Sequence, residues 1–325
     1  MAYTDVGIDT SHWRPKLDRI KLQGLKWLIG RMGTQWNNLE PTAWVDHTFT
    51  DHCQVAYDMD IPYGAFWYDD YTWFLDNGWT WGAISEVTAQ NDPRITAIKR
   101  ALFAGTALRK VHFLGIDVEQ EMRNGVKIKE PNWCSKSAQS LFENLLWMMV
   151  HGELPEMPIL IYTRASFVNE YCVLNGINLL DTWLKRYYDL LGPDRVGVWI
   201  ADWRYNRCNN GVYQASQLTS TLPLDTAKPA MFGSVPAWLW QYAGDVGRMA
   251  FLDGVTDDRN IPLATDLNTN MIPLDTFYSR VHYEPRGTTP EPPPVEPPAD
   301  LTVFQRLDAI EAKIAAGFTG TVTVK

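Results

Sequence analysis

The run Phe113-Leu114-Gly115-Ile116-Asp117-Val118-Glu119 is an apolar strand pattern that ends in two carboxylates spaced i, i+2. Alternate residues of a strand share a face, so Asp117 and Glu119 project together with their Cα atoms roughly 6.5 Å apart. Two acids that close do not both ionise cheaply, and one keeps its proton near neutral pH. A protonated carboxyl beside a charged one is the equipment for general acid catalysis at a glycosidic bond. The competing reading is a strand that ends in two solvated acids, so the rest of the chain has to decide.

The elements that must position such a pair are legible as an alternation. Strand patterns are expected at Val6–Asp9, Trp27–Arg31, Tyr63–Trp67, Phe113–Glu119, Ile159–Tyr162, Val196–Ala201 and Ala237–Gln241. Helical patterns are expected at Thr50–Met59, Asp92–Phe103, Ser135–Val150, Arg164–Val173 and Leu179–Leu190. Strands and helices alternating over about 250 residues predict an α/β fold, an irregular TIM-like (β/α) barrel, whose chemistry sits at the C-terminal ends of the strands. Asp9, Arg31, Trp67, Glu119, Tyr162 and Asp202 all stand at such ends.

Composition narrows the function. The net charge is −9 over 325 residues, which argues against nucleic acid and against an anionic membrane surface as partners. The 15 Trp and 14 Tyr suit stacking on sugar rings as well as core packing. Cys53, Cys134, Cys172 and Cys208 show neither metal-ligand spacing nor a disulfide framework, so no metal is expected and the thiols read as reduced and buried. The N-terminus lacks signal-peptide regions, and no apolar run reaches the ~18 residues of a membrane span. Synthesis in a cytoplasm is therefore expected, with delivery by something else if the protein acts outside.

A domain boundary is expected near residue 284. Residues 285–300 hold seven prolines in sixteen positions, a stiff linker at most about 50 Å long. Residues 301–325 follow with one apolar helical stripe (Leu301, Phe304, Leu307, Ile310, Ile314) and a strand-like end, Thr319–Val324. A helix of this length is marginal alone, so the tail reads as a self-association or attachment segment.

Several motifs together resemble the family 25 glycoside hydrolases, the lysozymes (N-acetylmuramidases) of bacteria and their phages. Gly7-Ile8-Asp9-Thr10-Ser11-His12-Trp13 resembles the family's opening strand, and Leu114-Gly-Ile-Asp117-Val-Glu119 its Asp-x-Glu strand. Pro158-Ile-Leu-Ile-Tyr162-Thr163 resembles its Tyr-bearing strand, and Val198-Trp199-Ile200-Ala201-Asp202-Trp203 its Leu-Trp-Ile-Ala strand. Trp238-Leu-Trp240-Gln241-Tyr242 with Thr265-Asp266-Leu267-Asn268 resembles its close. The order holds across about residues 5–280. The resemblance implies a peptidoglycan hydrolase without a cofactor, cleaving the β-1,4 bond after N-acetylmuramic acid at the bacterial cell wall. Glu119 would be the acid, with Asp9, Asp117 and Asp266 as further site carboxylates. Tyr162, Trp67, Asp202, Trp203 and Trp240 are expected to bind substrate.

Asp9 or Asp117 would stabilise positive charge on the sugar, as a nucleophile or by orienting the substrate's acetamido group. The chain departs from the family after the second strand, where Arg31-Met-Gly-Thr-Gln35 lacks the usual acid, and at Ala65-Phe66-Trp67. Insertions at about Asp69–Val111 and Arg204–Val235 would build groove walls or contacts to a larger particle. Two other readings compete: a chitinase-like barrel, since Gly115–Glu119 also resembles the chitinase strand, and a non-catalytic wall-binding part of a phage tail-like particle. His12 reads as a structural hydrogen-bonder, and Glu121 as lying past the strand end.

Overall fold

The computed structural model describes residues 3–35, 44–119, 122–123, 126–244 and 247–286. Eight strands, labelled here as barrel strands alone, close on themselves: β1 (Val6–Thr10), β2 (Leu28–Thr34), β3 (Tyr63–Tyr68), β4 (Val111–Asp117), β5 (Ile159–Thr163), β6 (Val196–Ala201), β7 (Ala237–Ala243) and β8 (Pro262–Asn270). Neighbours in sequence are neighbours in the barrel, and β8 pairs back onto β1 to complete it. The pairings from β1 to β7 are parallel, while β8 runs antiparallel to both β7 and β1. Seven of the eight strands match the sequence expectation; β8 is additional. Its sequence, Pro-Leu-Ala-Thr-Asp-Leu-Asn-Thr-Asn, is polar at many positions and lacks the apolar run that marks a buried strand.

The helices pack outside. Those of the main alternation are α1 (Phe49–Met59), α2 (Pro93–Leu102), α3 (Pro131–Val150), α4 (Ala165–Tyr171) and α5 (Leu179–Leu191), each within a few residues of its sequence pattern. Local signals set their ends. Asp92 caps α2 by accepting from the Arg94 amide, with Pro93 in the first turn. Asn178 caps α5 by accepting from the Asp181 amide, and Gly192, at φ 91°, ends it. Between β6 and β7 no α-helix forms; short 3-10 turns at Trp203–Tyr205 and Ala215–Thr221 carry the chain across. After β7 a strand at Ala250–Thr256 forms a hairpin with β8. The barrel is thus irregular on one side, as expected.

Two apolar layers follow from strand alternation. Leu114, Ile116, Ile161, Val198 and Ile200 face outward against the helices. Phe113, Leu160, Tyr162 and Trp199 face into the barrel, where α6 (Leu274–Arg280) contributes Phe277 to the same cluster. Large rings fit inside because glycines on neighbouring strands give them room. A Cβ at Gly197 would stand 2.4 Å from the Trp238 indole nitrogen, and one at Gly64 would stand 2.2 Å from the Phe113 ring.

Met1–Pro285 forms one compact unit. The expected Pro-rich linker (beyond Arg286) and the 301–325 tail lie outside the described residues. All four cysteines are buried and free, with the sulfurs of Cys134 and Cys172 3.0 Å apart. Among the described residues no helix is long and apolar enough to cross a membrane.

Candidate active site

Strand register assembles the site one level at a time. Tyr68 pairs with Asp117, Asp117 with Tyr162, and Tyr162 with Trp199, on β3, β4, β5 and β6 in turn. Register partners on adjacent strands point to the same face, so these four side chains form one inward layer. Across the barrel Asp9 of β1 is the direct partner of Asp266 of β8. Glu119 lies two residues past the end of β4, but the strand's pairing continues that far: the Val118 amide donates to the Tyr162 carbonyl at 2.9 Å. Asp9, Asp117, Glu119, Asp266, Tyr162 and Trp203 therefore line one cavity of about 170 Å³, with Arg14, Arg31, Tyr68, Trp199 and Gln241.

A network of donors fixes the orientation of Asp9. Its Oδ2 accepts from Gln241 Nε2 and from Asn268 Nδ2, both at 2.9 Å. Gln241 Oε1 in turn accepts from the Tyr162 hydroxyl at 2.8 Å and from Trp203 Nε1 at 2.9 Å. Asn268 Oδ1 accepts from Trp199 Nε1 at 2.6 Å. An indole nitrogen only donates, so each amide must present its oxygen to a tryptophan and its NH₂ to Asp9. Asp266 is held differently, by an ion pair with Arg14 at 2.9 Å, while Arg14 Nε donates to the Ala264 carbonyl.

Asp117 occupies the least favourable place for a charge. It is 5% exposed, and among the described residues its Oδ1 has no hydrogen-bond partner. Burial first, then the neighbouring Glu119 and Asp9, pushes its carboxyl well above the usual carboxylate range, against the opposing pull of Arg31. The same surroundings hold Tyr162 and Tyr68 as neutral phenols, burial leading and Glu119 and Asp117 adding to it.

The second-strand departure has a structural counterpart. Arg31 lies beside Asp46, a buried acid from outside the expected run, whose Oδ2 also accepts from the His12 amide at 2.8 Å. Arg31 donates to His12 Nδ1, and the His12 pKa is lowered, by burial first and by Arg31 next. His12 is therefore a neutral acceptor that helps hold Arg31.

Three expected substrate-binding residues stand elsewhere. Trp67 and Trp240 have no exposed surface and face outward into the barrel–helix layer. Trp67 donates to Gln35 and Trp240 to the Asp202 carbonyl. Strand parity explains this: Phe66, Tyr68 and Gln241, one position away, are the side chains that reach the cavity. Asp202 caps the 203–205 turn and lines a separate groove. Arg14, Gln241 and Asn268 were not singled out as site residues from sequence. Gln241 and Asn268 sit inside the closing motifs, and for Asn268 the signal available was its parity with Asp266, two residues earlier on the same strand. Glu121 lies outside the described residues. Among the described residues no three His, Cys, Asp or Glu side chains form a metal-binding group.

No protein-family model matches the chain, and no curated protein matches it. Solved structures do. It is similar to the catalytic domain of the endolysin ply40 from bacteriophage P40 of Listeria monocytogenes, at 16% identity over 86% of this chain and 98% of that one, with a TM-score of 0.45. It is similar to the bacterial lysozyme from Streptomyces coelicolor, at 15% identity over 87% and 100%, TM-score 0.48. It is also similar to the spore cortex lytic enzyme SleM of Clostridium perfringens, at 15% identity over 84% and 69%, TM-score 0.49.

Proposed function

We propose that the chain is a peptidoglycan hydrolase that cleaves the β-1,4 bond between N-acetylmuramic acid and N-acetylglucosamine. One observation carries the reading: Asp117, held above the usual carboxylate range by burial, shares one cavity with Glu119, Asp9 and Asp266. Two interacting carboxyls titrate as a pair, so Asp117 and Glu119 together retain a proton where a lone acid would have lost it. Glu119 lies past the strand end and is partly exposed, whereas Asp117 is buried. Glu119 donates that proton to the leaving glycosidic oxygen as the C–O bond breaks; water then supplies the hydroxyl to the sugar carbon and its remaining proton returns to Glu119.

The sequence left Asp9 and Asp117 as alternatives for stabilising positive charge on the sugar. The geometry favours Asp9, which is oriented by two amide donors, over Asp117, for which ionisation is costly. Trp203, half-buried at the cavity wall, offers a ring for sugar stacking, and Tyr162 sets the Gln241 amide. The biological setting that fits is lysis of a bacterial wall by a phage-borne or particle-attached enzyme, with residues 301–325 as the attachment segment.

The test is release of reducing ends from purified peptidoglycan by the full chain, beside Glu119→Gln. Wild-type activity with muramic acid at the new ends, and a loss of about 10²–10⁴-fold in the variant, is the expected result. Wild-type inactivity from acid to mildly alkaline pH would overturn the reading, and N-acetylglucosamine-only products would replace it with a chitinase.

A further inference from the structure

A second and larger concavity adjoins the acid cavity. Its volume is about 850 Å³, and Trp203 lines both spaces. The two differ in charge. Among the described residues, four carboxyls with Arg14 and Arg31 line the first, whereas three arginines, Arg164, Arg204 and Arg248, and one acid, Asp202, line the second. That acid and Arg204 are engaged with each other, which leaves Arg164 and Arg248 to set the charge of the groove. The two oxygens of Asp202 take the Arg204 guanidinium at 2.8 and 2.6 Å, and Oδ2 also accepts from the Ala230 amide at 2.8 Å. Arg248 is exposed and Arg164 half-buried on the groove wall.

A ligand that spans both spaces must bring uncharged rings to the acids and anionic groups to the arginines. Guanidinium groups suit carboxylates in particular, through paired N–H donors in a planar fork. Resting on the hydrolase reading above, we infer that the arginine groove binds the carboxylates of the peptide stem carried by muramic acid, so that the enzyme selects peptide-substituted glycan over bare glycan. Trp203 separates the sugar site from the peptide site and serves both.

The experiment uses peptidoglycan freed of phosphate-bearing wall polymers, so that peptide carboxylates are its anions, and the same strands after an amidase has removed the stems. The full chain, Arg248→Glu and Arg164→Gln are compared by kcat and KM on each substrate, with thermal unfolding as the check on folding. Wild type should prefer stem-bearing strands. Arg248→Glu should cut that preference by about tenfold, through KM rather than kcat, with Arg164→Gln acting in the same direction. Equal cleavage of both substrates by wild type, or equal losses on both in the variants, would overturn the inference and leave the hydrolase intact. Cleavage of neither by wild type would overturn the hydrolase reading and this inference with it.

Discussion

Asp117 is a carboxyl that the fold prefers uncharged, and that preference has a measurable sign. A group whose folded pKa is raised favours the fold most below its unfolded value, near 3.8, and the benefit is lost as pH rises through the folded value. Asp117→Asn removes the ionisation while keeping the shape. The variant should therefore be more stable than wild type at mildly alkaline pH, with the difference fading toward pH 4. Each pKa unit corresponds to about 1.4 kcal/mol, or roughly 2–4 °C in Tm for a chain of this size. Activity should fall by about tenfold or more in the same protein, since the shared proton is gone. Gains in stability confined to acid pH would contradict the assignment.

Asn268→Asp tests the other carboxylate. It keeps an oxygen for Trp199 but replaces a donor to Asp9 with a second acid, and should lower kcat by about tenfold or more with little change in KM. The four acids, which the fold brings to one cavity, stood out in the sequence because their types and spacing suit the chemistry proposed. Trp67 and Trp240 were misplaced because a strand-end aromatic was read by type alone. The period-2 rule that joins Asp117 to Glu119 also turns those two rings outward.

At the level of elements, the strands that announced themselves are those buried on both faces, and their apolar runs read directly. β8 was hidden because its inward side faces the site and its outward side is partly solvated. Thr265, Asn268 and Thr269 are buried polar residues, chosen for hydrogen bonds that no local pattern encodes. The pairing of β8 with β1, which closes the barrel, is a long-range fact that joins Val6–Asp9 to Asp266–Thr269. The barrel interior adds a constraint of a different kind. Gly197 lies under the Trp238 indole, so Gly197→Ala forces a methyl against a fully buried ring that has little room to shift. A loss of about 1–3 kcal/mol is expected from overpacking, read as a drop of several degrees in Tm. Gly152→Ala, at φ 70° in open space, would be strained by its backbone alone and makes the instructive comparison.

For the whole molecule, the described unit closes its barrel within Met1–Pro285, so folding and catalysis should need nothing beyond it. The sequence of residues 286–325 reads as a Pro-rich linker followed by a tail with one apolar stripe, the pattern expected of a segment that buries that stripe against another chain. Such a stripe is stable chiefly against copies of itself or a partner. The comparison is between the full chain and residues 1–285. Both should unfold at the same temperature and cleave short soluble muropeptides with the same kcat/KM. Sedimentation should show the truncated protein as a monomer and the full chain as an oligomer. On insoluble walls the full chain should act at lower concentration, since linked sites raise effective concentration when the linker can span them, and this one reaches at most about 50 Å. Oligomers should lose that advantage when Leu307 and Ile310 are both replaced by Asp, with muropeptide cleavage as the internal control. A full chain that sediments as a monomer would move the tail's role from self-association to attachment on another particle.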